Sequence, residues 1–208
     1  MSKKKIAIID YGMGNLKSVE ISLNYLGLEN KLIRDPKNLK KFSHIILPGV
    51  GSFKRAIKNL KSTGMFKTLI EISKKKEKKI LGICLGMQLL FNSSTEEGYT
   101  KGLGIIDGKV EKFSSKETIN LKIPHVGFNE VFFDKKNSFF KDIKNNSDFY
   151  FDHSYRITKF KKDINPVISK YGVKFLSGFN FENIYGTQFH PEKSQSNGLL
   201  LLRNFIKI

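Results

Sequence analysis

The chain has 208 residues and a formal net charge of +18, with 37 Lys and Arg against 19 Asp and Glu. Hydrophobic residues make up 39% and include 18 Phe, which excludes a disordered chain and suits a single domain over 1–208 with a real core. Only Arg34, Arg55, Arg156 and Arg203 are arginines; phosphate-clamping surfaces concentrate Arg, so the scattered lysines read as a solvated surface and no nucleic-acid partner is expected.

In chain order, MSKKKIAIID carries too few apolar residues for a signal peptide, and no run approaches the ~20 residues of a membrane span. A cytoplasmic location is expected. KIAIID (5–10) reads as an inner parallel strand, YGMGN (11–15) as a glycine turn, and 16–27 as an amphipathic helix with Leu16, Val19, Leu23 and Leu26 on one face. The turn lacks a third glycine where Lys17 stands, so it is not a dinucleotide fingerprint and no cofactor is implied. Strands follow at 29–35 and from 43, the second running into Pro48-Gly49-Val50-Gly51. That loop, almost without side chains, offers its own N–H and C=O groups to whatever lies opposite. Helices near 53–61 and 65–76 lead to ILGICLGMQLLF (80–91), a buried strand turning at Cys84 into a helix that continues through Phe91.

The alternating pattern to about residue 95 predicts an α/β fold with a doubly wound, flavodoxin-like parallel sheet. Beyond it, short aromatic and β-branched pieces at 108–113, 128–133, 149–151, 166–171 and 174–181 predict added antiparallel strands in the C-terminal half. A last strand through Tyr185, Thr187 and Phe189 delivers His190-Pro191-Glu192, and a closing helix spans 197–208.

Cys84 is the only cysteine, so no internal disulfide can form and a reducing compartment is the natural setting. A lone cysteine is ordinarily a small buried hydrophobe. Gly82 and Gly86 on either side of it change that reading. They permit a strained, close-packed strand-to-helix turn that presents one side chain at the mouth of a sheet, with helix N-terminal N–H groups beside it that favour a thiolate. His190 and Glu192 supply the remaining parts of a thiol acyl-transfer triad: the Glu orients one ring nitrogen and the other exchanges a proton with the sulfur. The intact set argues against a non-catalytic binding protein on the same fold. No metal-ligand spacing occurs, because the one thiol is committed and the histidines are far apart.

These stretches resemble the class I, triad-type glutamine amidotransferases, and within them the glutaminase subunits of imidazole glycerol phosphate synthase. The resemblance is carried by IDYGMGNLKSV (9–19), ILPGVGSF (46–53), GICLGMQLLF (82–91), GLGIIDGKV (102–110), IPHVGFN (123–129), FYFDHSY (149–155) and GTQFHPEKSQ (186–195). It implies that Cys84 attacks the glutamine side-chain amide, that His190 passes the proton to the departing ammonia, and that Glu192 orients His190. It implies an oxyanion hole from the backbone N–H of Leu85, joined by that of Val50 when the 48–51 loop adopts its active arrangement. Gly51, Gln88, Glu96, Ser154 and Tyr155 would hold glutamine, with Glu96 facing the α-amino group. Asn15, Tyr150 and Lys193 would lie at a mouth facing a (β/α)₈-barrel cyclase, the other half of a heterodimer that consumes the ammonia in histidine biosynthesis and activates the glutaminase. Two positions depart from the family blocks, Phe128 after Gly127 and Asp152 before His153. A paralogous glutaminase feeding amidation of a bacterial surface sugar shares the same motifs.

Overall fold

The computed structural model describes residues 4–161 and 163–208. Strand β1 (Ile6–Ile9), helix α1 (Leu16–Tyr25), β2 (Asn30–Ile33), β3 (His44–Leu47), helices α2 (Phe53–Ser62) and α3 (Met65–Lys75), and strand β4 (Lys79–Ile83) alternate as the periodicity predicts. Beyond their first residues, His44 in β3 and Lys79 in β4, the inner strands are apolar because both their faces are covered. Ala7, Ile9, Ile45, Leu47 and Ile80 pack into one layer with Phe53, Ala56, Leu60 and Leu69 of α2 and α3. Their neighbours Ile6, Ile8, Ile46, Leu81 and Ile83 pack into the opposite layer with Val19 and Leu23 of α1. The two-residue period of each strand thus separates two cores.

The helix after Cys84, α4 (Leu85–Leu89), is shorter than the apolar spacing predicts, and Phe91 opens a strand instead, β5 (Phe91–Ser94). The cause lies ten to fifteen residues downstream. The carbonyls of Leu89, Leu90 and Phe91 accept the backbone N–H groups of Leu103, Ile105, Ile106 and Gly104, so helical bonding stops there. Gly102 permits this crossing, since a Cβ on it would stand 2.2 Å from the Phe91 carbonyl oxygen.

The remaining strands are β6 (Thr100–Lys101), β7 (Ile106–Lys112), β8 (His125–Val131), β9 (Ser147–His153), β10 (Tyr155–Thr158), β11 (Pro166–Tyr171), β12 (Val173–Phe181) and β13 (Ile184–Thr187), followed by helix α5 (Gln195–Lys207). The main sheet has the order β11-β12-β13-β4-β3-β1-β2. Its five strands from β13 to β2 are parallel, while β12 and β11 add antiparallel to one edge. This is the doubly wound, flavodoxin-like arrangement with antiparallel additions that the sequence predicts. The other strands form two small sheets, β10-β7-β5-β6 and the hairpin-like pair β8-β9. Phe149 and Phe151 of β9 enclose Phe189, with ring centroids at 4.3 and 5.6 Å, and so press β9 against the segment leading to His190. No helix among the described residues is long and apolar enough to cross a membrane.

Candidate active site

Cys84 stands at the carboxyl end of β4 with φ 53° and ψ −110°, a left-handed conformation that a non-glycine residue adopts only under constraint. The constraint is visible on both sides. Its N–H donates to the Thr187 carbonyl at 2.7 Å, and its carbonyl accepts the Gln88 N–H at 3.2 Å. The flanking glycines act by close approach, while the cysteine itself carries the unusual φ. A Cβ on Gly86 would lie 1.8 Å from the Leu47 carbonyl oxygen, and one on Gly82 would lie 2.7 Å from the backbone of Gly86 and Met87. Only bare backbone lets α4 pack this tightly over β3 and β4.

His190 follows β13, the strand parallel to β4, so the two strand ends deliver nucleophile and imidazole to the same edge of the sheet. Glu192 is brought back by a 3₁₀ turn at Pro191–Lys193, and its carboxylate lies 2.7 Å from His190 Nδ1 with both side chains almost fully buried. Burial opposes a charge on His190. The Cys84 sulfur and the Glu192 carboxylate outweigh it, raising the imidazole pKa to about 10. A protonated imidazole between sulfur and carboxylate is the resting state that this arrangement favours. The backbone around His190 is also fixed: its N–H donates to the Tyr150 carbonyl at 2.8 Å. Ser194 Oγ donates to the His190 carbonyl at 2.6 Å and accepts the Tyr150 N–H at 2.9 Å.

Cys84 opens onto a cavity of about 310 Å³, a size suited to a small polar metabolite. The sequence-predicted residues Leu85, Val50, Gly51, Gln88, Glu96, Ser154 and Tyr155 all line it, together with Pro124, Asp152 and His153. Glu96 accepts the Phe53 N–H at 2.7 Å through Oε2, which ties it to the start of α2. Burial chiefly raises the Glu96 pKa, and the Phe53 N–H partly opposes that. The Tyr155 phenol is pushed up as well, first by burial and then by the charges of Glu96 and Glu97. A cationic group arriving between them would relieve both. Gln88 donates from Nε2 to the Tyr155 carbonyl at 3.1 Å.

The partner-facing candidates also come together in part. Lys193 Nζ lies 5.4 Å from the centre of the Tyr150 ring, and Phe128, half exposed, meets the same ring edge-on at 5.6 Å. Asn15 occupies the N-cap of α1 without a side-chain capping bond, and α1 packs on the 191–193 turn.

Sequence reasoning missed Tyr11 here, and left His125 and His153 either to tune the site or to pack, favouring a supporting role for His153 from its place in the FYFDHSY block. Tyr11, buried beneath the glycine loop, donates to the Pro48 carbonyl at 2.9 Å; burial and then the Cys84 charge push its phenol pKa well up, which keeps it a donor. His153 Nδ1 lies 2.8 Å from the Tyr155 carbonyl, which fixes that nitrogen as the protonated one. Its Nε2 must then accept from His125 Nδ1 at 3.0 Å, and His125 Nε2 accepts from Asn129 at 3.2 Å. This chain of neutral rings buttresses the cavity wall. His125 and His153 lie 28 positions apart in sequence, and only the fold brings the two together.

A buried sulfur, an imidazole–carboxylate pair and a strained turn where parallel strands end beside a small cavity form an arrangement chemically suited to thiol-dependent acyl transfer. The family model for glutamine amidotransferase class-I matches residues 7–208, and the chain belongs to that family. Over 203 residues it is 47% identical to imidazole glycerol phosphate synthase subunit HisH 1 of Campylobacter jejuni (strain RM1221), covering 98% of this chain and 100% of the relative. It is 46% identical over 200 residues to subunit HisH of Caldanaerobacter subterraneus subsp. tengcongensis, covering 96% of each. Both relatives are named as subunits of a larger enzyme. The solved structure of PurLQS from Thermotoga maritima aligns with a TM-score of 0.73 over 99% of this chain and 98% of that one. At 17% identity it is a likeness of fold.

Proposed function

We propose that the chain is the glutaminase subunit of an imidazole glycerol phosphate synthase, releasing ammonia from L-glutamine for a (β/α)₈-barrel cyclase partner in histidine biosynthesis. The observation that carries this reading is the Cys84–His190–Glu192 set, whose Cys84 opens onto the cavity, in a chain matched over its length by HisH subunits. The Cys84 thiolate attacks the side-chain amide carbon, and the oxygen that becomes negative is met by the backbone N–H of Leu85 and, once the 48–51 loop is arranged for it, of Val50. His190 gives its proton to the nitrogen as the C–N bond breaks, leaving ammonia and a γ-glutamyl thioester. Water then adds to the thioester, His190 takes its proton, and the thiolate departs as glutamate forms. Glu192 stabilises the charged imidazole throughout. Gly51, Gln88, Ser154 and Tyr155 hold the substrate, with Glu96 facing its ammonium group. Asn15, Tyr150 and Lys193 sit at the mouth through which ammonia passes to the partner.

Glutamate release tests this reading, measured for the protein alone, with the cyclase, and with the cyclase plus its ribotide ligand. Strong stimulation by partner and ligand, absent in Cys84→Ala, is the expected result. Stimulation only by a sugar-amidating partner would move the ammonia acceptor to that pathway. Silence in every pairing would refute the assignment.

A further inference from the structure

Gln188 is fully buried two residues before His190, and in the alternation Tyr185-Gly186-Thr187-Gln188-Phe189 it reads as an inner strand position with no chemical task. Its side chain nevertheless reaches the nucleophile. One end of the amide lies 3.7 Å from Cys84 Sγ, within range of a hydrogen bond to sulfur, and the other lies 2.9 Å from Gln88 Nε2.

The shape of an amide does not tell oxygen from nitrogen, so its partners must. Gln88 presents the same terminal atom to the Tyr155 main-chain carbonyl, which can only accept, so that atom is the NH₂ group. Facing a donor, Gln188 must turn its oxygen toward Gln88. Its own NH₂ is therefore the end directed at Cys84. The sulfur is thus held between a donor, Gln188 Nε2, and an acceptor, the Asp152 carbonyl at 3.8 Å.

We propose that Gln188 is a further catalytic residue, whose side-chain amide donates a hydrogen bond to the Cys84 sulfur and stabilises it as a thiolate. The bond counts twice in the reaction. It favours the charged sulfur against its buried surroundings and the Asp152 carbonyl before attack. It favours the same charged sulfur again as the leaving group when water has added to the thioester. A donor fixed in advance by the chain Tyr155–Gln88–Gln188 needs no reorganisation at either moment. Because Gln88 also lines the cavity, the same chain connects substrate binding to the nucleophile.

The role rests on the glutaminase reading, but sulfur reactivity can be measured apart from it. Cys84 is the only thiol, so its alkylation by iodoacetamide at neutral pH, followed by mass spectrometry, reports on one site. Gln188→Glu keeps an acceptor for Gln88 and replaces the donor at sulfur with an oxygen; Gln188→Met removes both polar ends at nearly constant length. In the folded variants, checked by circular dichroism and thermal unfolding, alkylation is expected to slow about tenfold or more. In Gln188→Glu, kcat for glutamine is expected to fall while KM stays near wild type. Wild-type alkylation rates in the folded variants would overturn the proposal and leave Gln188 a buried spacer. Slow alkylation without glutamine hydrolysis in any pairing would keep Gln188 as the donor to sulfur and remove the glutaminase assignment alone.

Discussion

The carbonyl of Tyr150 accepts the backbone N–H of His190 at 2.8 Å, so the residue that carries the imidazole hangs directly from strand β9. Ser194 bonds both sides of the same junction, and the closely packed, tilted Phe149 and Phe189 rings hold the segment before His190 against β9. A partner bound at the Tyr150 ring, as proposed above, would act on a segment bonded directly to His190.

Ser194 is buried and both its bonds are to main-chain groups of this junction. Ser194→Ala leaves the Tyr150 N–H without that acceptor and should cost about 1–3 kcal/mol in urea unfolding. The same variant should lower kcat for glutamine more than it changes KM. Unchanged turnover would show that the junction carries stability alone.

Glu192→Gln removes the carboxylate charge beside His190 while keeping the side-chain length. With it goes part of what holds the imidazole protonated. Partner-stimulated glutamine hydrolysis is expected to drop by about 10²–10⁴-fold. Wild-type turnover in this variant would exclude Glu192 from the proton relay.

Gly86→Ala places a methyl group 1.8 Å from the Leu47 carbonyl oxygen, a distance that no rotamer can relieve. The turn at Cys84 must open or β3 must shift. A loss of about 3 kcal/mol or more is expected in urea unfolding, together with loss of Cys84 reactivity. A variant of wild-type stability would mean that the close approach of α4 to β3 is not required.

Three histidines resist protonation in the folded protein. Burial lowers the pKa of His125 to about 4 and, with smaller contributions from His125 and His190, that of His153 to about 3. Burial and then the charges of Lys4 and Lys79 lower His44 to about 4. The unfolded chain binds these protons near pH 6.5, so acid favours unfolding. The part of the stability that rests on these three neutral rings should be fully present above about pH 6.5 and fall toward pH 4, on the order of 1 kcal/mol per pH unit for each histidine. The raised pKa of His190 acts in the opposite direction above pH 6.5. Chemical denaturation across this range checks the sign, and His125→Gln should flatten the slope.

The parallel core was legible because 6–9, 45–47 and 80–83 are apolar runs, which a doubly covered strand tolerates. Cys84, His190 and Glu192 were legible because they follow such runs in patterns whose glycines and proline restrict the backbone. Strand β5 was hidden, since the spacing of Met87, Leu89 and Leu90 is helical and only the N–H groups of 103–106 stop the helix. Gln188 was hidden for a related reason. Its contact to Cys84 crosses 104 positions of sequence, and nothing local distinguishes it from filler. Tyr11 likewise reaches the glycine loop across 37 positions.

Strand β13 lies directly beside β4, although Ile184 is made 104 residues after the Ile80 it pairs with. While the protein is being synthesised, β4 must wait with one edge unpaired, and Cys84 lacks the Thr187 carbonyl that anchors its turn. The same late segment brings His190, Glu192 and Gln188. A nascent or truncated chain ending before it carries the sulfur but lacks His190, Glu192 and Gln188. Pairing of β13 with β4 and delivery of these three side chains to the site are therefore one event in folding.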